Sequence, residues 1–273
     1  MTHMTDLHTH STASDGQYTP AELVGLAKAR GLEVLALTDH DTLDGLDEAV
    51  RTGEELGLRV LRGVELSAKE YRNLHILGYG FPVGPSPLSR LCREMQGRRN
   101  RRKEEILAYL RTKGVDIPLE EVEALAAGGV VGRPHFAQVV VRHGYAESNR
   151  EVFDRWLDTE EFQEINNRFK LDVRICVETI KAAGGKVSLA HPYQVGLEDD
   201  ALAALVGKLA GYGLDAIECY YPRHTAAQQA FYLELAARYG LHVTGGSDFH
   251  GERVKPDIQL AALELDVDWL LES

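Results

Sequence analysis

Over roughly the first eighty positions, apolar runs that stop at polar residues alternate with segments of helical period. "MTDLHTHS" reads as a short strand ending in polar side chains. "TPAELVGLAKARG" follows, with Thr19 at the N-cap, Pro20 at the first helical position and Gly31 just past the end. A hydroxyl there accepts a free amide N–H, the proline ring has φ already helical, and glycine takes a left-handed backbone at no steric cost. "LEVLALTDHD" predicts a buried strand, "LDGLDEAVRTGEELG" a second helix, and "LRVLRGVELSA" and "NLHILGYG" two further strands. This rhythm predicts parallel β/α units. The histidines and acids fall at the C-terminal strand ends or just past them, where such folds collect their chemistry.

From residue 85 to 170 the rhythm changes. "SPLSRLCREMQGRRNRRKEEILAYLRTKG" is one long helical pattern, "RPHFAQVVVRHG" and "NREVFDRWL" are two more, and no strand pattern intervenes. "DVRICVETIKAAGG" and "KVSLAHP" restore the β/α alternation, which "LDAIECYYP", "QQAFYLELAARYG" and "HVTGGSDFH" continue. The expected organisation is an α/β domain of residues 1–84 and 171–273 with residues 85–170 as a helical insertion.

A length of 273 residues suits that arrangement. The apolar fraction of 44% and mean hydropathy of −0.24 are those of an ordinary globular protein. No apolar run approaches the roughly 18 residues that span a bilayer, and the start lacks a secretory pattern, so no membrane association is expected. Cys92, Cys176 and Cys219 are far apart and odd in number, which predicts reduced thiols in a cytoplasmic protein and no cysteine metal ligand. The net charge of −12 argues against a footprint on long duplex nucleic acid. A small anionic substrate stays compatible, because bound cations invert the local field. Nothing in the pattern fixes an oligomeric state.

The strand ends carry His8, His10 and Asp15, then Asp39-His40, Glu65, His75, His191, and Asp248 with His250. Side chains alternate along a strand, so both imidazoles of His-x-His face one way and can grip one ion. "SDFH" repeats that spacing at the last strand. Imidazole and carboxylate together suit Mn, Fe or Zn. Each residue has a plainer reading taken singly: Asp39 as a turn cap or a support for His40, Glu65 as a paired core carboxylate, His75 as a buried histidine. The plain readings would have to hold separately at six successive strand ends.

The order "HTHSTASDG", "LTDHD", "GVELS", "HILGYG", "LAHP" and "GSDFH" resembles the PHP family, named for polymerase and histidinol phosphatase, over nearly the whole chain. The resemblance implies a distorted (β/α)7 barrel, two or three divalent ions and phosphoester hydrolysis. Carried over by motif, one ion takes His8, His10, Glu65 and Asp248. A second shares Glu65 and takes His75 and His191. A third takes Asp15, His40 and His250. The implied reaction is in-line attack by a hydroxide bridging the ions, with Asp248 or His250 relaying a proton to the leaving alkoxide.

"GRPHFAQ" in the insertion and "YYPRHT" resemble the stand-alone branch that acts on nucleoside 3′,5′-bisphosphates and short RNA 5′ ends. That branch implies phosphate contacts from Arg133, His135 and His224, with Arg223 beside them. The plainer reading of Arg133-Pro134-His135 is a helix start with a solvated arginine. "RRNRRK" reads as a solvated helix face, and His3, His143 and His242 match no motif. The rival readings are a histidinol-phosphate or other small-molecule phosphatase, an amidohydrolase, and a metal-binding scaffold without turnover.

Overall fold

The computed structural model describes residues 2–82, 84–126 and 131–271. The chain divides into two compact units, Met1–Cys92 with Leu171–Ser273, and Arg93–Lys170. The long helical pattern forms the helix Pro87–Thr112, whose first residues fall in the first unit.

The first unit is an α/β barrel, nearly closed, with eight strands among the described residues. They are β1 (Thr2–Thr9), β2 (Val34–Leu37), β3 (Arg59–Ser67), β4 (His75–Tyr79), β5 (Lys186–Leu189), β6 (Ala216–Tyr220), β7 (His242–Gly245) and β8 (Leu263–Asp266). Their spatial order is β7-β6-β5-β4-β3-β2-β1-β8. The pairs β1/β2, β2/β3, β5/β6 and β6/β7 are parallel, as the alternation predicts.

Two features depart from the expected rhythm. β4 runs antiparallel to both β3 and β5. The connection 68–74 contains no helix and is too short for a parallel crossover, so the strand must return antiparallel. β8 adds an eighth strand to the seven expected, antiparallel to β1 from Thr2↔Asp266 to Thr5↔Leu263. Its Leu265 packs in the barrel core with Leu7, Val34, Leu77 and Tyr79, each Leu contributing about 1.5–3 kcal/mol by leaving water.

The sequence-predicted caps form as their chemistry requires. α1 (Pro20–Ala29) opens on a capping box between Thr19 and Glu22, and Gly31 follows it at φ 82°. α2 (Leu46–Leu56) stops at Gly57, φ 63°. The second unit is helical among its described residues, around a core that includes Ile106, Leu110, Phe136, Val140, Trp156 and Phe162. Among the described residues, no helix is long and apolar enough to cross a membrane.

Closure of the barrel rests on residues 246–250, beyond β7. The Asp248 amide donates to the His8 carbonyl at 2.8 Å, and the His10 amide to the Phe249 carbonyl at 2.9 Å. Gly246 allows this approach, since a Cβ there would sit 2.4 Å from the His8 Cβ and 2.6 Å from its amide nitrogen. Gly246→Ala is therefore expected to lower stability by about 1–3 kcal/mol or more, because the obstruction is backbone and cannot swing away. Gly211→Ala, in a helix with open space around it, is expected to raise stability by up to about 1 kcal/mol. Denaturant midpoints of the two variants check both signs; equal shifts would remove the closure argument.

Candidate metal centre

One rim of the barrel gathers all nine of the residues that the motifs single out. His8 ends its run inside β1, and His10 and Asp15 lie just past it. His40 follows β2, Glu65 lies within β3, His191 follows β5, and Asp248 and His250 follow β7. His75 is the first residue of β4 rather than a strand end. It still reaches this rim, because an antiparallel strand starts where its parallel neighbours finish. Asp248 and His250 do not sit on a strand either: β7 stops at Gly245, and Asp248 has φ 56°.

The Glu65 carboxylate is fully buried and ringed by imidazoles. Its Oε2 lies 3.2 Å from His8 Nε2, 3.1 Å from His10 Nε2 and 3.1 Å from His40 Nδ1. Its Oε1 lies 2.7 Å from His75 Nδ1 and 3.0 Å from His191 Nε2. Asp248 Oδ1 faces His10 Nε2 at 3.3 Å and His8 Nε2 at 3.6 Å. Asp15 Oδ1 faces His250 Nε2 at 3.3 Å, and its Oδ2 faces His40 Nε2 at 3.9 Å. Three sets of donor atoms lie within 4.8 Å of one another: His8, His10, Glu65 and Asp248; His10, Asp15, His40 and His250; and His40, Glu65 and His75. His191 joins through Glu65.

These residues fit divalent ions on a physical test. His8 Nε2, both nitrogens of His10, His40 Nδ1 and Glu65 Oε2 are buried without a hydrogen bond. Each such atom costs about 1–3 kcal/mol if left unpaired. Here they converge on each other, as a mixed nitrogen and oxygen donor set around cations does.

The neighbours hold these donors in place. Glu218, buried on β6, lies 3.1 Å from His8 Nδ1 and accepts the His191 amide at 2.7 Å. A proton kept on His8 Nδ1 leaves the Nε2 lone pair facing Glu65. Asp248 and His191, at φ 56° and 24°, hold left-handed backbone that costs non-glycine residues about 1–3 kcal/mol each. The hydrogen bonds of the Asp39 carboxylate go neither to a helix N-terminus nor to His40. It accepts from the Ser11 amide at 2.8 Å and from the Ser11 and Ser14 hydroxyls, shaping the loop that carries Asp15. Sequence reasoning missed Glu218 and also Lys255, whose ammonium lies 2.6 Å from Asp248 Oδ2. Glu218 was visible as a lone carboxylate in the apolar strand "AIECY".

The residues expected to touch phosphate have local partners. His224 is buried, donates through Nδ1 to the Cys219 carbonyl at 2.9 Å, and has Nε2 without a partner. Arg223 pairs with Asp257 at 2.8 Å. In the second unit, Arg133 pairs with Asp158 at 2.9 Å and His135 Nδ1 accepts the Gly132 amide at the start of the helix Arg133–Arg142. Of the unassigned histidines, His242 stacks on Trp269, and His3 and His143 meet Asp268 and Glu121.

Burial and charge set the protonation of the ion-free centre. Burial alone would lower His8, but Glu65, Glu218 and Asp248 override it and hold the imidazole well above its ordinary value. His10 rises to about 9 against burial, through Asp248, Glu65 and Asp15. His40 falls to about 3, because burial outweighs its carboxylate neighbours. Glu65 and Asp248 stay ionised far below the usual carboxylate range despite burial, Glu65 through His40, His8 and His75, and Asp248 chiefly through Lys255.

The family profile described as PHP domain matches residues 6–168. A 5′-3′ exoribonuclease of Haemophilus influenzae is 35% identical over 251 residues, 92% of this chain and 91% of its own. A phosphoribosyl 1,2-cyclic phosphate 1,2-diphosphodiesterase of Eggerthella lenta is 36% identical over 262 residues, 90% of this chain and 94% of its own. A 3′,5′-nucleoside bisphosphate phosphatase of Chromobacterium violaceum is 30% identical over 247 residues, 90% of this chain and 86% of its own. A solved structure from Bifidobacterium adolescentis, assigned as a metal-dependent phosphoesterase, superposes with a TM-score of 0.77 at 30% identity, covering 98% of this chain and 94% of the other.

His10 carries its proton up to pH about 9 in the ion-free protein, so an incoming cation must displace it. Apparent metal affinity is therefore expected to rise with pH between 6 and 9. Calorimetry at pH 7 in two buffers of different ionisation enthalpy should show about one or more protons released per chain; zero release would contradict the protonated ground state. Glu218→Gln should weaken metal binding about 10- to 100-fold in a folded protein. Wild-type affinity in that variant would mean that Glu218 does not orient His8.

Proposed function

Because this chain belongs to the PHP domain family and is a metal-dependent phosphoester hydrolase, we propose that it removes the 3′ phosphate of nucleoside 3′,5′-bisphosphates and acts on the 5′ ends of short RNA. The observation that carries the hydrolytic reading is the convergence of five imidazoles on buried Glu65, toward which His8, His10 and His40 each turn a buried nitrogen that has no hydrogen bond. The names of the relatives from Haemophilus and Chromobacterium support the substrate.

The proposed complement is two or three ions of Mn, Fe or Zn. His8, His10, Glu65 and Asp248 would hold one; Glu65, His75 and His191 a second; Asp15, His40 and His250 a third. His40 stands between the last two, with Nδ1 toward Glu65 and Nε2 toward Asp15. Bound divalent ions supply a competent water nucleophile near neutral pH and offset the charge of the phosphoryl group. The protein's own part is positional. Glu218 fixes the tautomer of His8. The Asp248 carbonyl accepts from His250 Nδ1 at 2.8 Å, which turns His250 Nε2 toward Asp15. The leaving alkoxide is proposed to take its proton through Asp248 or His250. Arg133, His135, His224 and Arg223 are proposed as phosphate contacts on their motifs, arginine because its fork matches two phosphate oxygens. The three buried free cysteines support the cytoplasmic reading.

A second substrate reading has one observation behind it. The Eggerthella relative, as similar as the exoribonuclease, is named for a cyclic phosphodiester of phosphoribose. The same donor set would serve a diester.

The test is phosphate release from adenosine 3′,5′-bisphosphate by the Mn-loaded protein, with bound metal counted. The expected product is 5′-AMP, lost on chelation and abolished in His8→Ala and Asp248→Ala variants that keep their circular dichroism. A fully loaded protein that spares the bisphosphate but opens phosphoribosyl 1,2-cyclic phosphate would replace the first reading with the second. Turnover by folded, metal-depleted protein would overturn both.

A further inference from the structure

We propose that Lys255 is a catalytic residue, an ammonium that grips Asp248 with part of its donor set and presents the rest to a phosphoryl oxygen of the substrate. The proposal rests on the phosphoester-hydrolase reading and extends it to a residue that none of the motifs includes.

Lys255 reaches the rim from a turn that follows the last pair of ligands. Its amide donates to the Gly251 carbonyl at 2.9 Å, and its own carbonyl accepts from Ile258 at 3.1 Å, so its backbone is fixed at both ends. From there the ammonium lies 2.6 Å from Asp248 Oδ2 and 3.4 Å from the Asp248 carbonyl. Tyr221 donates to the same Oδ2 at 3.1 Å. Two donors thus occupy Oδ2, and Oδ1 is left to face His8 and His10.

An ammonium has three N–H donors. Asp248 takes one fully and one weakly, which leaves a third. The Asp248 side chain is 4% exposed and the Lys255 side chain 28% exposed, so the lysine is the more accessible partner of the pair. A dianionic phosphate approaching this rim meets the carboxylates of Asp15, Glu65 and Asp248. A fixed cation beside Asp248 offsets that field where the substrate enters and strengthens as charge gathers on the phosphoryl oxygens. The proton stays on Nζ throughout; no bond to lysine forms or breaks.

The alternative is that Lys255 only holds Asp248. Three readouts on the full chain, loaded with Mn, separate the two: metal bound per chain, affinity for inorganic phosphate by calorimetry, and thermal midpoint. Lys255→Gln is expected to keep its metal and to bind phosphate about 10- to 100-fold more weakly, as loss of one charged hydrogen bond requires. Lys255→Arg, which restores the cation, is expected to recover most of that affinity. Unchanged phosphate affinity in Lys255→Gln, or loss of metal in both variants with phosphate binding lost only in step with it, would overturn the proposal. If Lys255→Gln does not fold, amine labelling of the wild type decides: saturating phosphate should slow modification of Lys255 and spare Lys69, which is 48% exposed. Equal protection of both, or of neither, would overturn it. Wild-type protein that binds metal but no phosphate would instead count against the hydrolase reading itself.

Discussion

The structure of the first unit turns on one carboxylate. Glu65 is fully buried, carries a negative charge, and has five imidazole nitrogens within 3.2 Å of its two oxygens. An isolated carboxylate in that position would be driven to neutrality by desolvation. The histidines keep it charged, and in return it draws His8 and His10 toward their protonated forms in the ion-free protein. Cations and protons therefore compete for the same lone pairs. The barrel, its caps and its closing segment serve to bring these rings to one point.

The supports around that point are themselves buried acids. Asp6, raised to about 6 by burial, accepts from the Ser247 amide and hydroxyl and from the Ala261 amide, and so ties β1 to the loop before Asp248. Asp39 organises the loop of Asp15, and Glu218 aligns His8. Each trades solvation for a set of directed hydrogen bonds, which is how a centre gains rigidity that loops alone lack.

Much of this was legible in the sequence. The caps of α1, the β/α alternation and the gathering of imidazoles and carboxylates from "HTH", "TDHD", "GVEL" and "SDFH" follow from periodicity and residue chemistry. The reversal of β4 was not, because an apolar strand carries no mark of its direction; only the length of the connection 68–74 hinted at it. β8 was missed because four residues of alternating pattern near the end are too few to distinguish from a loop. The partners of Asp39 were ambiguous, since an aspartate before a helix can serve a cap or a distant loop equally well. Glu218 and Lys255 escaped because their roles exist only through residues more than two hundred positions away in one case and through a turn in the other.

The first unit is written in two pieces, residues 1–92 and 171–273, and the rim inherits that division. His8, His10, Asp15, His40, Glu65 and His75 are in the first piece; His191, Asp248 and His250 are in the second. As the chain leaves the ribosome, six donors are made long before their closing partners. The bond that seals β1 joins His8 to Asp248, 248 − 8 = 240 positions apart. Contacts of such separation come late, because the entropy of ordering the chain between them is spent before they form. A chain stopped short of residue 248 would lack Asp248 and His250, and with them the segment that closes over the other imidazoles and carboxylates. The donor set is thus complete only once residues 246–250, beyond β7, have closed on β1.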